Sequence, residues 1–156
     1  MNVDRKSYQT FEDLDLYKVA REFRKAMYAV TRRLPDSGKF ALSNQVRRAA
    51  VSLTNNIAEG HGRYHFLDQI KFILQARGSL EELLDDLNVC DDEQYLSAPD
   101  VAKLKEDGWR VHRLLNGYIR YLRSRKSEEP SSLREVARDA DTVGDKLETL
   151  LDASTL

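Results

Sequence analysis

Apolar and small residues recur along most of the chain at alternating steps of four and three, the spacing that places them on one side of a helix. From Asp13 to Leu34 they fall at Leu16, Ala20, Phe23, Met27, Val30 and Leu34. Pro35 ends that helix, and the following DSGK segment predicts a tight reversal. A second stripe comprises Leu42, Val46, Ala49, Leu53 and Ile57, with Ser43 read as its amino-terminal cap and Gly60 as its left-handed stop. The third helix is expected from about Tyr64 to Gln94, carrying Phe66, Ile70, Ile73, Leu80, Leu84 and Leu87 on one side. Ser97, Pro99 and Asp100 form a capped start for a fourth, in which Val101, Leu104, Gly108, Val111, Leu115, Tyr118 and Leu122 keep a heptad-like spacing. Gly78 and Gly108 interrupt good helices, and close approach of a neighbouring helix is the expected reason, with a bend at Gly78 as the alternative.

Long helices joined by short turns predict an all-α protein, an antiparallel up-down four-helix bundle over residues 11–126. Residues 127–132, SEEPSS, read as a polar linker containing Pro130. Beyond it Leu133, Val136, Ala140, Val143, Leu147 and Leu150 mark an additional C-terminal amphipathic helix, acidic, over 133–151. Docking of that helix on the bundle is favoured over pairing with another copy or remaining frayed.

Composition agrees with a helical core. The 156 residues are 41% hydrophobic and 33% charged, with only 7 Gly and 3 Pro. A chain of this size removes ~70% of its unfolded surface from water and requires neither metal nor disulfide to fold. The single cysteine, Cys90, cannot form an internal disulfide, which fits a cytoplasmic location. Neither an export signal nor a run of ~18 apolar residues that could cross a membrane is present. The formal charge of -1 conceals an asymmetry: residues 1–126 carry 22 basic and 18 acidic groups, residues 127–156 only 3 basic and 8 acidic. Such a contrast predicts either two solvated surfaces or an acidic tail that covers a basic body.

No reaction centre emerges. His61, His65 and His112 have no Cys, Ser or carboxylate at a spacing that defines a known site, and the Gly62 break separates His61 from His65. The Glu-x-x-His pairs of di-iron bundles are missing, and the acidic run Glu81, Glu82, Asp85 and Asp86 reads as a solvated face with one member reaching inward. Gly60-His61-Gly62-Arg63 is better read as a helix-to-helix turn than as a phosphate cradle. The expectation is a protein without cofactor, metal or catalytic residues.

Two polar features remain. Arg48, Ser52, Asn55 or Asn56, and Glu59 recur at steps of three and four beside the apolar stripe of the second helix. They predict a structural polar seam in which Arg48 or Asn56 meets a carboxylate such as Glu82, with a recognition surface as the alternative. Basic residues form the second feature: Arg21, Arg24, Lys25, Arg32 and Arg33, then Arg47 and Arg48, then Arg110, Arg113, Arg120 and Arg123. Arginines on helix surfaces contact phosphates without reading bases. Arg21, Lys25, Arg47, Arg63, Arg113 and Arg120 are the candidate nucleic-acid contacts, Arg47 and Arg63 foremost among them.

Three segments, QVRRAAVSLTNNIAEGHGR, FEDLDLYKVAREF and FILQARGSLEELLDDL, together resemble the four-helix-bundle family of proteins encoded within 23S ribosomal RNA intervening sequences. The matching residues are Gln45, Arg47, Arg48, Ala49, Ser52, Asn56, Ile57, Ala58, Glu59, Gly60, Gly62 and Arg63, then Gly78, Ser79, Leu80 and Glu82. That family is similar in turn to the accessory variability determinant of diversity-generating retroelements, a pentameric bundle that associates with a reverse transcriptase and nucleic acid. The resemblance implies a small homo-oligomer, a pentamer, without enzymatic activity, with RNA or DNA and a reverse transcriptase as partners. The helix from about Ser132 departs from the usual bundle, and its acidity weakens a simple transfer of nucleic-acid binding. The competing expectation is a protein-interaction scaffold for which nucleic acid is irrelevant.

Overall fold

The computed structural model describes residues 10–127, in which every regular element is helical. A single 3-10 turn, Phe11–Asp13, leads into four α-helices: α1 (Asp15–Arg33), α2 (Asp36–His61), α3 (Phe66–Asp92) and α4 (Ala98–Ser127). The linker from residue 128 and the expected fifth helix over 133–151 lie outside the described residues.

Local chemistry sets each boundary. Thr10 caps the first turn reciprocally: its hydroxyl accepts from the Glu12 amide, while its own amide donates to the Asp13 carboxylate at 2.9 Å. Leu34 is extended, as a residue before proline must be, and Pro35 then leads directly into α2. The DSGK segment is therefore the first turn of α2 rather than a reversal. Ser43, expected as a cap, lies inside the helix, buried, and donates to the Thr31 carbonyl of α1 at 3.4 Å. The Gly62 amide reaches back to the Ala58 and Glu59 carbonyls at the end of α2, and no glycine among the described residues adopts positive φ. At the end of α3, Gln94 supplies the left-handed residue (φ 57°), so that the Tyr95 amide closes onto the Cys90 carbonyl at 2.8 Å. Ser97 caps α4 by accepting from the Asp100 amide at 3.2 Å, where the sequence places a cap.

α1 packs on α2 and α4, α2 on α3, and α3 on α4. Every apolar position predicted on α1 and α2 is buried, and Met27, Leu53, Ile57, Ile73, Leu80, Leu83, Leu87, Leu115 and Leu122 are fully enclosed in the common core. Contacts between neighbours rise in number on one helix as they fall on the next: Gln45 meets Asp86, Ser52 meets Ser79, and Gly60 lies against Phe72.

The glycines divide by function. A Cβ on Gly60 would stand 3.0 Å from Phe72 Cβ and 3.3 Å from the Gln69 carbonyl, and one on Gly108 would stand 2.7 Å from Leu84 Cδ2 and 3.1 Å from Phe23 Cζ. Both are points of close helix approach. Gly78 is exposed with nothing within 4 Å, so the packing reason expected for it does not hold. Gly78→Ala should stabilise the fold by about 1 kcal/mol through helix propensity. Gly60→Ala should instead destabilise it, because overpacking against stiff atoms costs about 1–3 kcal/mol. Urea midpoints of the two variants should shift in opposite directions.

Candidate nucleic-acid interface

The outer face of α1 and α2 is held together by two crossed arginines. Arg24 on α1 donates to Thr54 Oγ1 on α2 at 2.8 Å, and Arg47 on α2 donates to Thr31 Oγ1 on α1 at 3.1 Å. Both threonines are buried, and each uses its hydroxyl proton on a carbonyl of its own helix, Thr31 on Tyr28 and Thr54 on Val51. Their lone pairs therefore face the guanidinium groups. Arg47 also lies over the Tyr28 ring, 5.9 Å from its centroid. Each crossed arginine spends a single N–H on its threonine, leaving further donors at the surface. Arg21 and Arg32 on α1 and Arg48 on α2 are exposed, and Lys25 pairs with Glu22 at 3.3 Å.

Charge is segregated by helix. α1 and α2 together carry nine basic and four acidic side chains, α3 two basic and seven acidic, and α4 eight basic and three acidic. The α1–α2 face and the outer face of α4 can therefore attract a polyanion, whereas α3 repels one.

The polar seam lies between α2 and α3; Ser52 and Asn56 belong to it as expected, whereas Arg48, Glu59 and Glu82 do not. Asn56 donates to the Ser52 carbonyl and to Ser52 Oγ, Ser52 Oγ lies 2.8 Å from Ser79 Oγ, and Ser79 donates to the Gln75 carbonyl. Arg48 and Glu82 are both exposed, and no hydrogen bond joins them; the amide that crosses to α3 is Gln45, whose Nε2 donates to Asp86 Oδ1 at 2.8 Å. Glu59 turns away from the seam to pair with Arg63 at 2.7 Å. Asp86 is only 2% exposed, and its Oδ2 has no hydrogen-bond partner among the described residues. Burial, reinforced by the neighbouring Glu82 and Asp85 carboxylates, pushes its carboxyl up to about 6. Burial and the Asp86 charge likewise raise the Cys90 thiol, an environment that suppresses thiolate chemistry.

A third network crosses α3 and α4. His112 Nε2 lies 3.2 Å from Glu81 Oε1, His112 Nδ1 lies 3.2 Å from Asn116 Nδ2, and Arg77 donates to Asn116 Oδ1 at 3.0 Å. A carboxylate–histidine pair is thus present where the sequence offered none, since its members are 31 positions apart. These hydrogen bonds tie α3 to α4 through the Glu81–His112 and Arg77–Asn116 pairs.

Residues 12–117, well over half of the chain, match the family model described as 23S rRNA-intervening sequence protein. The chain belongs to that family. It is also similar to a crystal structure, determined at 1.70 Å, of a Bacteroides thetaiotaomicron VPI-5482 protein of unknown function from the S23 ribosomal protein family. The two are 20% identical, with 67% of this chain and 97% of that one covered and a TM-score of 0.63, a likeness that bears on fold alone. No curated protein matches the chain.

Within the segment shared with the 23S rRNA-intervening sequence proteins, the predicted contact residues do not form a single site. Arg21, Lys25 and Arg47 lie on the α1–α2 face, with Arg47 both exposed and anchored to Thr31. Arg63 sits at the α2–α3 turn, tied to Glu59 and lying over the Phe72 ring at 4.6 Å, so its guanidinium is already engaged. Arg113 belongs to the outer face of α4, as does Arg120, which falls just past the matched segment. The sequence reading missed Arg24 as the partner of Thr54 and Gln45 as the partner of Asp86. The only available signal was their position at the edge of each apolar stripe. Among the described residues no helix is long and apolar enough to cross a membrane, and no three or more His, Cys, Asp or Glu side chains cluster to hold a metal ion.

Proposed function

We propose that this protein is a non-enzymatic, homo-oligomeric accessory to a nucleic acid or ribonucleoprotein in the cytoplasm, built as an up-down four-helix bundle and holding phosphate backbone on the outer face of α1 and α2. The observation that carries this reading is the crossed pair Arg24–Thr54 and Arg47–Thr31, which fixes two guanidinium groups on a face with a clear cationic excess. Fixed donors lose less side-chain entropy on meeting a phosphate than free ones. The opposed order of contacts between neighbouring helices supports the bundle arrangement. Membership of a family described by its link to 23S rRNA supports an RNA-associated role. A pentamer would repeat the face five times around a ring and strengthen its field. A reverse transcriptase encoded beside the gene would favour the retroelement type of accessory, and a position within a ribosomal RNA gene the intervening-sequence type.

The test is fluorescence anisotropy with structured RNA and with DNA over a range of salt. Phosphate contacts release counterions, so log K should fall steeply and linearly with log salt, by about 0.9 for each duplex phosphate engaged. Absence of binding at low salt, or binding that salt leaves unchanged, would remove the proposal. Trp109, 45% exposed beside the acidic face of α3, favours a second reading as a protein-binding scaffold. A protein partner bound without any salt-sensitive nucleic-acid affinity would establish that reading instead.

A further inference from the structure

The second half of α4 has a composition found nowhere else in the chain. From Gly108 to Ser127 it carries six basic side chains and no acidic one. Arg113, Gly117, Arg120 and Tyr121 stand at steps of four, three and one along it, which groups them in one patch on the helix surface. Arg113 and Arg120 are exposed, and neither is engaged in an ion pair among the described residues. Tyr121 is 53% exposed. Its ring is supported by Tyr118, with centroids 6.0 Å apart and planes inclined by 18°. Tyr118 is itself packed against the core, and burial raises its hydroxyl above the usual range, so the supporting ring stays neutral.

Gly117 completes the patch. Unlike Gly60 and Gly108, it faces no neighbouring helix: the only atom within 4 Å of an added Cβ is a guanidinium nitrogen of Arg120, at 3.9 Å. Helix-interior glycine is destabilising relative to alanine, and here no internal packing explains it. What it leaves is bare backbone one helical turn before Tyr121, with the Arg120 guanidinium beside it and Arg113 one turn earlier.

We propose that this patch takes an unpaired nucleotide of a single-stranded nucleic acid, its base stacked on Tyr121 above Gly117 and its flanking phosphates on Arg113 and Arg120. The inference rests on the nucleic-acid reading above and adds the class of ligand. A π-face is available on an unpaired base and already covered in a duplex, so the aromatic platform selects single strands while the arginines supply backbone attraction without sequence preference. Arg120 and Tyr121 lie beyond residues 12–117, the part of the chain that matches the family model.

The experiment compares anisotropy titrations of an unstructured RNA of about 12 nucleotides and an RNA duplex of similar length. Tyr121→Leu is expected to weaken single-strand binding about tenfold or more, while duplex binding changes by less than about twofold. Tyr121→Phe, which keeps the ring, should retain single-strand affinity, and Gly117→Gln, which covers the bare backbone, should repeat the selective loss. If Tyr121→Leu and Gly117→Gln change both ligands equally, or neither, while the unaltered protein still binds, the stacking site is overturned and backbone binding stands. If the unaltered protein binds neither ligand, the nucleic-acid reading falls as well.

Discussion

Asp86→Asn is expected to stabilise the protein at pH 8 and to remove most of a decline in stability between about pH 4 and pH 6. The wild-type carboxylate is buried between α2 and α3, receives one hydrogen bond from Gln45, and leaves its second oxygen without a partner among the described residues. Its carboxyl is raised from 3.8 to about 6 by burial first and the Glu82 and Asp85 charges second. Between those values the folded chain holds a proton that the unfolded chain releases, so unfolding is increasingly favoured as pH rises. The contribution is fully present below the unfolded value and lost above about 6, the reverse of a salt-bridged aspartate. At 1.36 kcal/mol per pKa unit the loss is on the order of 2–3 kcal/mol, a substantial share of the stability of a small domain. Asparagine keeps the acceptor for Gln45 and never ionises. Urea midpoints for both proteins at pH 5 and pH 8 decide the matter: an equal decline in the variant would assign the pH dependence to other groups.

Asp86 also marks where the sequence stopped being legible. The stripes of α1 and α2 could be read because a single periodicity, that of Leu16 to Leu34 and Leu42 to Ile57, reports burial directly. α3 is enclosed more widely, with Ala76, Leu83, Asp86 and Cys90 buried in addition to the predicted stripe, and a broad buried surface blurs the helical period. The acidic run was rightly expected to send one member inward. Which member depends on Gln45, a residue 41 positions away whose amide, among the described residues, is the group that receives it. Glu81 and His112 illustrate the same limit, since no local pattern connects two residues 31 positions apart.

Turn chemistry misled for a related reason. Ser43 and Gly60 are ordinary cap and stop residues by type, yet both serve lateral packing: Ser43 bonds the α1 backbone, and Gly60 makes room for Phe72. The residue that adopts the left-handed stop is Gln94, where the Tyr95 amide closing onto Cys90 compensates for a conformation glycine would adopt more easily. The seam was legible as a seam, because its spacing follows the helix, but not in its partners. Arg48 or Asn56 was expected to meet a carboxylate such as Glu82; Asn56 bonds Ser52 instead, and Arg48 remains exposed on α2.

Replacing Arg21, Arg47 and Arg48 together with glutamine is therefore expected to weaken nucleic-acid binding far more than replacing Arg63. If each of the three engages one duplex phosphate, the salt slope should fall by about 2.7, which corresponds to a loss of about 10²–10³-fold at 0.1 M salt that vanishes near 1 M. The fold should survive: Arg21 and Arg48 are exposed, and Thr31 still donates to the Tyr28 carbonyl when Arg47 is gone, so losing that single bond costs about 1 kcal/mol. Arg63→Gln should change the slope little, because its guanidinium is held 2.7 Å from Glu59 and lies over Phe72. The two outcomes separate surface charge from position in a motif, since the resemblance singles out Arg63 and Arg47 alike. A reduced affinity with an unchanged salt slope in the triple variant would indicate disturbed packing rather than lost phosphate contacts. An equal loss in Arg63→Gln would move the interface from the α1–α2 face to the α2–α3 turn.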